Sequence, residues 1–182
     1  YELLWEDLFL KCGSSGKPIV FSTGMANKDE IENALGFIKK TQSNKIIVLH
    51  CNSSYPTPVK DANLSAINSI RDFVNPFKED FELNVGYSDH TASLEVMLRA
   101  IFHYNVEFVE FHIDLDGKGD EYQSGHCWLP DKISKLTNMV KLGLEADGSD
   151  KIVPSPSEFP DREWRADSSD GLRPLKHIRS KF

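Results

Sequence analysis

No apolar run in this chain approaches the ~18 residues needed to cross a bilayer, and its first residues do not resemble a signal peptide. Cysteine is scarce. Cys12, Cys51 and Cys127 are odd in number, widely spaced and form no CxxC pair, which argues against a disulfide framework and a thiolate zinc site and for a reducing cytoplasm. Positive charge is also in deficit: 21 Lys and Arg against 28 Asp and Glu give a formal net charge of -7. A general nucleic-acid or anionic-membrane surface is therefore not expected, although a local site for a phosphorylated metabolite is compatible with that balance. An initiator Met and a cap are missing ahead of Tyr1–Leu10, which reads as helix interior, so the numbering is expected to begin inside a longer protein.

With 40% apolar and 27% charged residues, disorder and collagen-like repeats are ruled out, and 182 residues suit one domain or a little more. Apolar runs bounded by turn residues alternate with stretches of helical period. Strands are expected at 17–23, 45–50, 83–88 and 106–112. The first intervening helix is expected to start at Asn27, with Asn27 and Glu30 as a capping box, and the others lie at 62–73, 92–103 and 130 to about 145, the last opened by Pro130. The apolar faces are Ile31, Ala34, Leu35 and Ile38; Leu64, Ile67 and Ile70; and Ile133, Leu136, Val140 and Leu144. Strands separated by helical crossovers must pair in parallel, which gives an α/β fold of (β/α) units. Residues 1–145 form this region. The polar tail 146–182 has Trp164 and Leu172 as its candidate anchors.

In parallel α/β folds ligands sit at the carboxyl ends of the strands, and the polar residues here collect at those ends. The four rims are Ser22-Thr-Gly-Met25, His50-Cys-Asn-Ser-Ser-Tyr-Pro-Thr-Pro58, Gly86-Tyr-Ser-Asp-His-Thr91 and Glu110-Phe-His-Ile-Asp-Leu-Asp116. Hydroxyls of Ser22, Ser53 and Ser88 can bind phosphate or carboxylate oxygens, and each can equally serve a turn or helix cap. His90 and His112 end neighbouring strands, so their rings can converge on one cation with open positions. Two imidazoles without a third fixed ligand suit Mn²⁺ or Mg²⁺ better than closed zinc, and a structural role for each histidine is the alternative.

The segments Lys17-Pro-Ile-Val-Phe-Ser-Thr-Gly-Met25, Leu49–Pro58, Gly86–Thr91 and Val109-Glu-Phe-His112 together resemble the sialic acid (N-acetylneuraminate) synthase family, in that family's order, over roughly residues 1–145. The resemblance implies the fifth to eighth strands of a TIM-type barrel. It implies condensation of phosphoenolpyruvate with an N-acetylated sugar such as N-acetylmannosamine, in carbohydrate biosynthesis. On it, His90 and His112 hold a divalent metal (Mn²⁺ or Mg²⁺), Ser22 and Ser88 hold phosphoenolpyruvate, Ser53 lies in the same region, and Tyr55 contacts substrate. A cytoplasmic homo-oligomer is expected, with no nucleic-acid or membrane partner.

Three departures stand out. The family's early strands, with lysines that neutralise phosphate, would precede Tyr1. Residues 116–128 replace a Pro-Gly-Pro-Asp-like turn after the second histidine, and a solvated loop is expected there, with Asp120, Gln123 or His126 as possible sugar contacts. No antifreeze-like domain is expected after residue 145, where Arg162, Arg165 and Arg173 can replace its arginine but read first as ordinary surface residues. The competing readings are a non-catalytic fragment or interaction module, and another metal-dependent barrel aldolase. The second would need a Schiff-base lysine at a strand's carboxyl end, whereas Lys17 and Lys45 begin strands.

Overall fold

Residues Ile31, Ala34, Leu35 and Ile38 are all 4% exposed or less, so the helical period read from the sequence marks a face that is buried. The computed structural model describes residues 1–181. The chain divides into two compact units, Tyr1–Leu142 and a second beginning at Gly143.

The first unit opens with a 3₁₀ turn at Glu2–Leu4 and then α1 (Glu6–Gly13), where a single helix from Tyr1 is expected. Trp5 interrupts it with an extended backbone. Glu6 and Asp7 then start α1 with negative charge at its amino end, the favourable sign there. Next come β1 (Ile19–Ser22), α2 (Lys28–Lys39), β2 (Lys45–Cys51), α3 (Ala66–Val74), β3 (Glu82–Asp89), α4 (Leu94–Tyr104), β4 (Val109–Phe111), α5 (Asp120–Ser124) and α6 (Pro130–Ala146). The strands form one sheet in the order β1-β2-β3-β4, every pair parallel. This is half of a (β/α) barrel.

Asn27 caps α2 as expected: its side chain accepts from Glu30 N at 3.0 Å, and the Glu30 carboxylate accepts from Asn27 N at 2.8 Å. The inner strands carry the core. Ile46 and Val48 of β2 and Leu83, Val85 and Tyr87 of β3 pack with Ile67, Ile70 and Val74 of α3 and with Val96, Met97 and Ala100 of α4. Each large apolar side chain so buried contributes about 1.5–3 kcal/mol before entropy is counted. On α6 the expected face is only partly inward, since Leu136 is buried and Leu144 is 60% exposed.

β4 is shorter than the expected 106–112. It pairs only Val109–Phe111 with Tyr87–Asp89, and the backbone beyond is engaged elsewhere. Trp128 N donates to His112 O at 2.8 Å and Asp114 N to Trp128 O at 2.9 Å, so the chain returns to β4 as a one-residue bridge, Ile113 to Trp128. The β3–β4 seam depends on Gly86, where a Cβ would run into Phe108 O and Leu49 Cδ2. Gly86→Ala is expected to destabilise the fold by about 1–3 kcal/mol, the usual cost of overpacking, read as a lower urea midpoint at unchanged slope. An unchanged midpoint would remove the seam from the account.

The second unit holds itself by polar ties. Glu158 accepts from Ser155 N and Oγ, closing a capping box ahead of 3₁₀ turns at Pro156–Trp164. Asp167 accepts from Ser169 N and Oγ and from Lys176 N, the last at the start of α7 (Lys176–Arg179). Arg179 clamps both oxygens of Asp170 at 2.5 and 2.7 Å. The expected anchors Trp164 and Leu172 are instead 62% and 58% exposed, so apolar packing by these two does not order this segment. Among the described residues no helix is long and apolar enough to cross a membrane.

Candidate metal and anion site

At the carboxyl end of β3, Asp89 is fully buried and its carboxylate is saturated with donors. Oδ1 accepts from Tyr87 Oη, Thr91 N and Thr91 Oγ1; Oδ2 accepts from Ala92 N at 3.0 Å and Trp128 Nε1 at 2.9 Å. Burial, and then the Asp89 charge, push the Tyr87 phenol up, so it stays a donor. This knot fixes the residue that follows. His90 is 3% exposed, and its Nδ1 lies 2.7 Å from Asn52 O. A carbonyl only accepts, so Nδ1 carries the proton and Nε2 carries the lone pair available to a cation.

His112 directly follows β4, and its Nδ1 lies 3.1 Å from Glu121 Oε2. A histidine ligand whose second nitrogen donates to a carboxylate is the usual arrangement around a metal. The ring centroids of His90 and His112 are 5.2 Å apart. Two imidazoles bound to one ion about 2.1 Å from each nitrogen would have centroids on the order of 5 Å apart, so this pair fits a shared divalent cation. Tyr55 packs over both, with centroid distances of 4.2 Å to His90 and 5.6 Å to His112.

The three serines also meet. Burial pushes the Cys51 thiol up, and the hydroxyls of Ser88, Ser53 and Ser22 around it offset part of that. Gly24 leaves room for this cradle, because a Cβ there would collide with Ser53 Oγ and sit 3.3 Å from Cys51 Sγ. Ser88 Oγ donates to Glu110 Oε1 at 2.8 Å, so a carboxylate borders the cradle. An anion placed there needs Ser88 to turn away from Glu110 and needs cationic charge from elsewhere.

The structure therefore gathers all six residues singled out in the sequence around two neighbouring points: Ser22, Ser53 and Ser88 at Cys51, and Tyr55, His90 and His112 at the ring cluster. Sequence reasoning missed Asp89 and Asn52, which orient His90, and Glu121, which holds His112. The solvated loop expected at Asp120 and Gln123 is indeed exposed, but the same expectation for His126 is corrected, because the end of the loop turns inward. His126 and Cys127 are each 5% exposed and Trp128 is fully buried. Gln123, also considered for the sugar, instead donates to Gly117 O within the loop.

A parallel half-barrel with convergent imidazoles and hydroxyls at the carboxyl ends of its strands has the build of a (β/α)-barrel enzyme site. The sequence matches the NeuB family model over residues 1–151, and the chain belongs to that family, the sialic acid and other nonulosonic acid synthases. It is 39% identical over 150 residues to the N,N'-diacetyllegionaminic acid synthase of Campylobacter jejuni, covering 81% of this chain and 42% of that one. It is 32% identical over 157 residues to an uncharacterized protein of Methanocaldococcus jannaschii, covering 86% of this chain and 44% of the other. Among solved structures, the N-acetylneuraminic acid synthetase of Leptospira borgpetersenii superposes with a TM-score of 0.67 at 31% identity, covering 93% of this chain and 56% of that chain. The chain spans less than half the length of these two curated relatives.

Proposed function

We propose that this chain carries the metal- and donor-binding half of a nonulosonic acid synthase that condenses phosphoenolpyruvate with an N-acetylated amino sugar. The observation that carries this reading is the convergence of His90 and His112, 5.2 Å between centroids, beside the hydroxyl cradle of Ser22, Ser53 and Ser88, in a member of the NeuB family. On this reading residues 1–145 correspond to the fifth to eighth barrel strands, and the protein works in the cytoplasm.

C3 of phosphoenolpyruvate attacks the open-chain aldehyde, water adds at C2, and phosphate leaves with its C–O bond broken. His90 and His112 would hold a divalent cation (Mn²⁺ or Mg²⁺), which would supply Lewis-acid polarisation of the aldehyde oxygen. The protein's own part is positioning. Asn52 O and Glu121 hold the two rings in one tautomer each, the three serine hydroxyls orient the donor's anionic groups, and the Tyr55 ring lies beside the histidines against the substrate. A lysine-dependent aldolase gains no support, because Lys45 lies at the amino end of β2, paired with Glu82 at 2.7 Å.

Calorimetric titration with phosphoenolpyruvate, with and without Mn²⁺, tests the reading: binding that requires the cation is expected, and heat independent of it would count against the shared site. The edge strands β1 and β4 each pair on one side only, and Val20 in β1 is 51% exposed. Such edges recruit further chain, so residues 1–182 taken by themselves are expected to self-associate in sedimentation velocity at micromolar concentration. A single monomeric species would contradict this.

A further inference from the structure

The loop that replaces the family's usual turn after the second histidine is built to return three ligand-type side chains to His112. Asp114 begins the return: its carboxylate accepts from the backbone N–H groups of Asp116, Gly117 and Gly119 at 2.6–3.0 Å. Gly119 packs so closely on Asp114 that a Cβ there would collide with Oδ2. α5 follows at once, and Gly125 ends it with φ 97°, a conformation that suits glycine. The Ile113–Trp128 bridge closes the loop, and Trp128 Nε1 is pinned to Asp89.

The result is a cluster in which one donor atom from each of His112, Glu121, His126 and Cys127 lies within 4.8 Å of every other. Glu121 Oε2 stands 3.1 Å from His112 Nδ1, 3.9 Å from His126 Nε2 and 3.9 Å from Cys127 Sγ. Donor atoms around a tetrahedral ion are separated by about 3.3–3.8 Å, so a small closing movement completes the shell. Two of the four residues, His126 and Cys127, are each only 5% exposed, and His126 makes no side-chain hydrogen bond among the described residues, so its Nε2, 3.9 Å from Glu121 Oε2, is available to an ion.

We propose that His112, Glu121, His126 and Cys127 form a thiolate-containing site for a borderline-soft divalent ion such as Zn²⁺ or Co²⁺, distinct from the His90–His112 pair and competing with it for His112. Thiolate and imidazole select such ions, whereas Mn²⁺ and Mg²⁺ prefer oxygen. The competition follows from the imidazole itself. A neutral ring has one lone pair, so His112 bound through Nδ1 keeps its proton on Nε2 and cannot serve an ion shared with His90. Binding releases the Cys127 thiol proton to solvent, with no change in the oxidation state of the ion. The site extends the proposed function only through His112, and its other three ligands are independent of that reading.

Titrating the chain with Co²⁺ alone, followed by absorbance, tests it. A thiolate-to-cobalt charge-transfer band saturating at one ion per chain is expected, with Cys127→Ser abolishing it and His90→Ala leaving it in place. Glu121→Gln, at a side chain 67% exposed and harmless to packing, is expected to weaken Co²⁺ binding by about tenfold or more. Absence of the band, its survival in Cys127→Ser, or its loss in His90→Ala would each overturn the proposal. Mn²⁺-dependent binding of phosphoenolpyruvate is read separately by calorimetry. If it persists while the cobalt band is missing, the loop site alone fails; if the band is present without donor binding, the synthase reading alone fails.

Discussion

Alanine at position 90 or 112 is expected to weaken Mn²⁺-dependent binding of phosphoenolpyruvate by about a hundredfold or more, with the fold retained. Changes to groups that merely support a metal ligand already cost roughly tenfold to a hundredfold, and here a ligand itself is removed. The two positions differ in a way that sharpens the test. His90 is buried and bonded to Asn52 O, so His90→Ala leaves a small cavity and one carbonyl without its donor. His112 is about one-third exposed, so His112→Ala removes the ligand with little cost in stability. Equal losses of binding at unequal costs in stability identify a shared ligand role, whereas binding lost only in proportion to stability would assign both histidines to the scaffold.

Asp89→Ala carries the largest expected effect on stability, about 3–5 kcal/mol. The carboxylate is fully buried and takes five donors, among them Trp128 Nε1 and Tyr87 Oη. Removing it strands several buried donors at roughly 1–3 kcal/mol each, partly relieved by relaxation. Asp89→Asn is expected to recover little. Each oxygen faces N–H donors, so the amide NH₂ opposes one of them whichever way it is turned. Chemical denaturation of both variants measures this, and a loss below about 1 kcal/mol for Asp89→Ala would show that the knot does not organise the site.

Much of the first unit was legible in the sequence because its signals are local. The Asn27–Glu30 capping box and the apolar spacing of Ile31, Ala34, Leu35 and Ile38 need no knowledge of the rest of the chain, and both appear as expected. The polar residues at strand ends were legible for a similar reason: parallel strands bring their carboxyl ends to one rim, so His90 and His112 had to approach one another if 83–88 and 106–112 were neighbours. The length of β4 was not legible, because Trp128 ends it from the far side of a loop. The same bridge hides Glu121, His126 and Cys127 from a linear reading, since their nearness to His112 depends on where the loop closes. The second unit also carries a local signal. Ser155 and Glu158 have capping-box spacing, but the surrounding prolines and serines made the segment read as loop. Asp89 lies inside a rim motif, and nothing in its sequence neighbours tells that five donors converge on it.

The central claim is that His90 and His112 share one divalent ion. Pulsed electron paramagnetic resonance on the Mn²⁺-loaded chain counts imidazole nitrogens bound to the metal. Two are expected in the unaltered protein, and one in each of His90→Ala and His112→Ala. Two nitrogens persisting in His90→Ala would contradict the account.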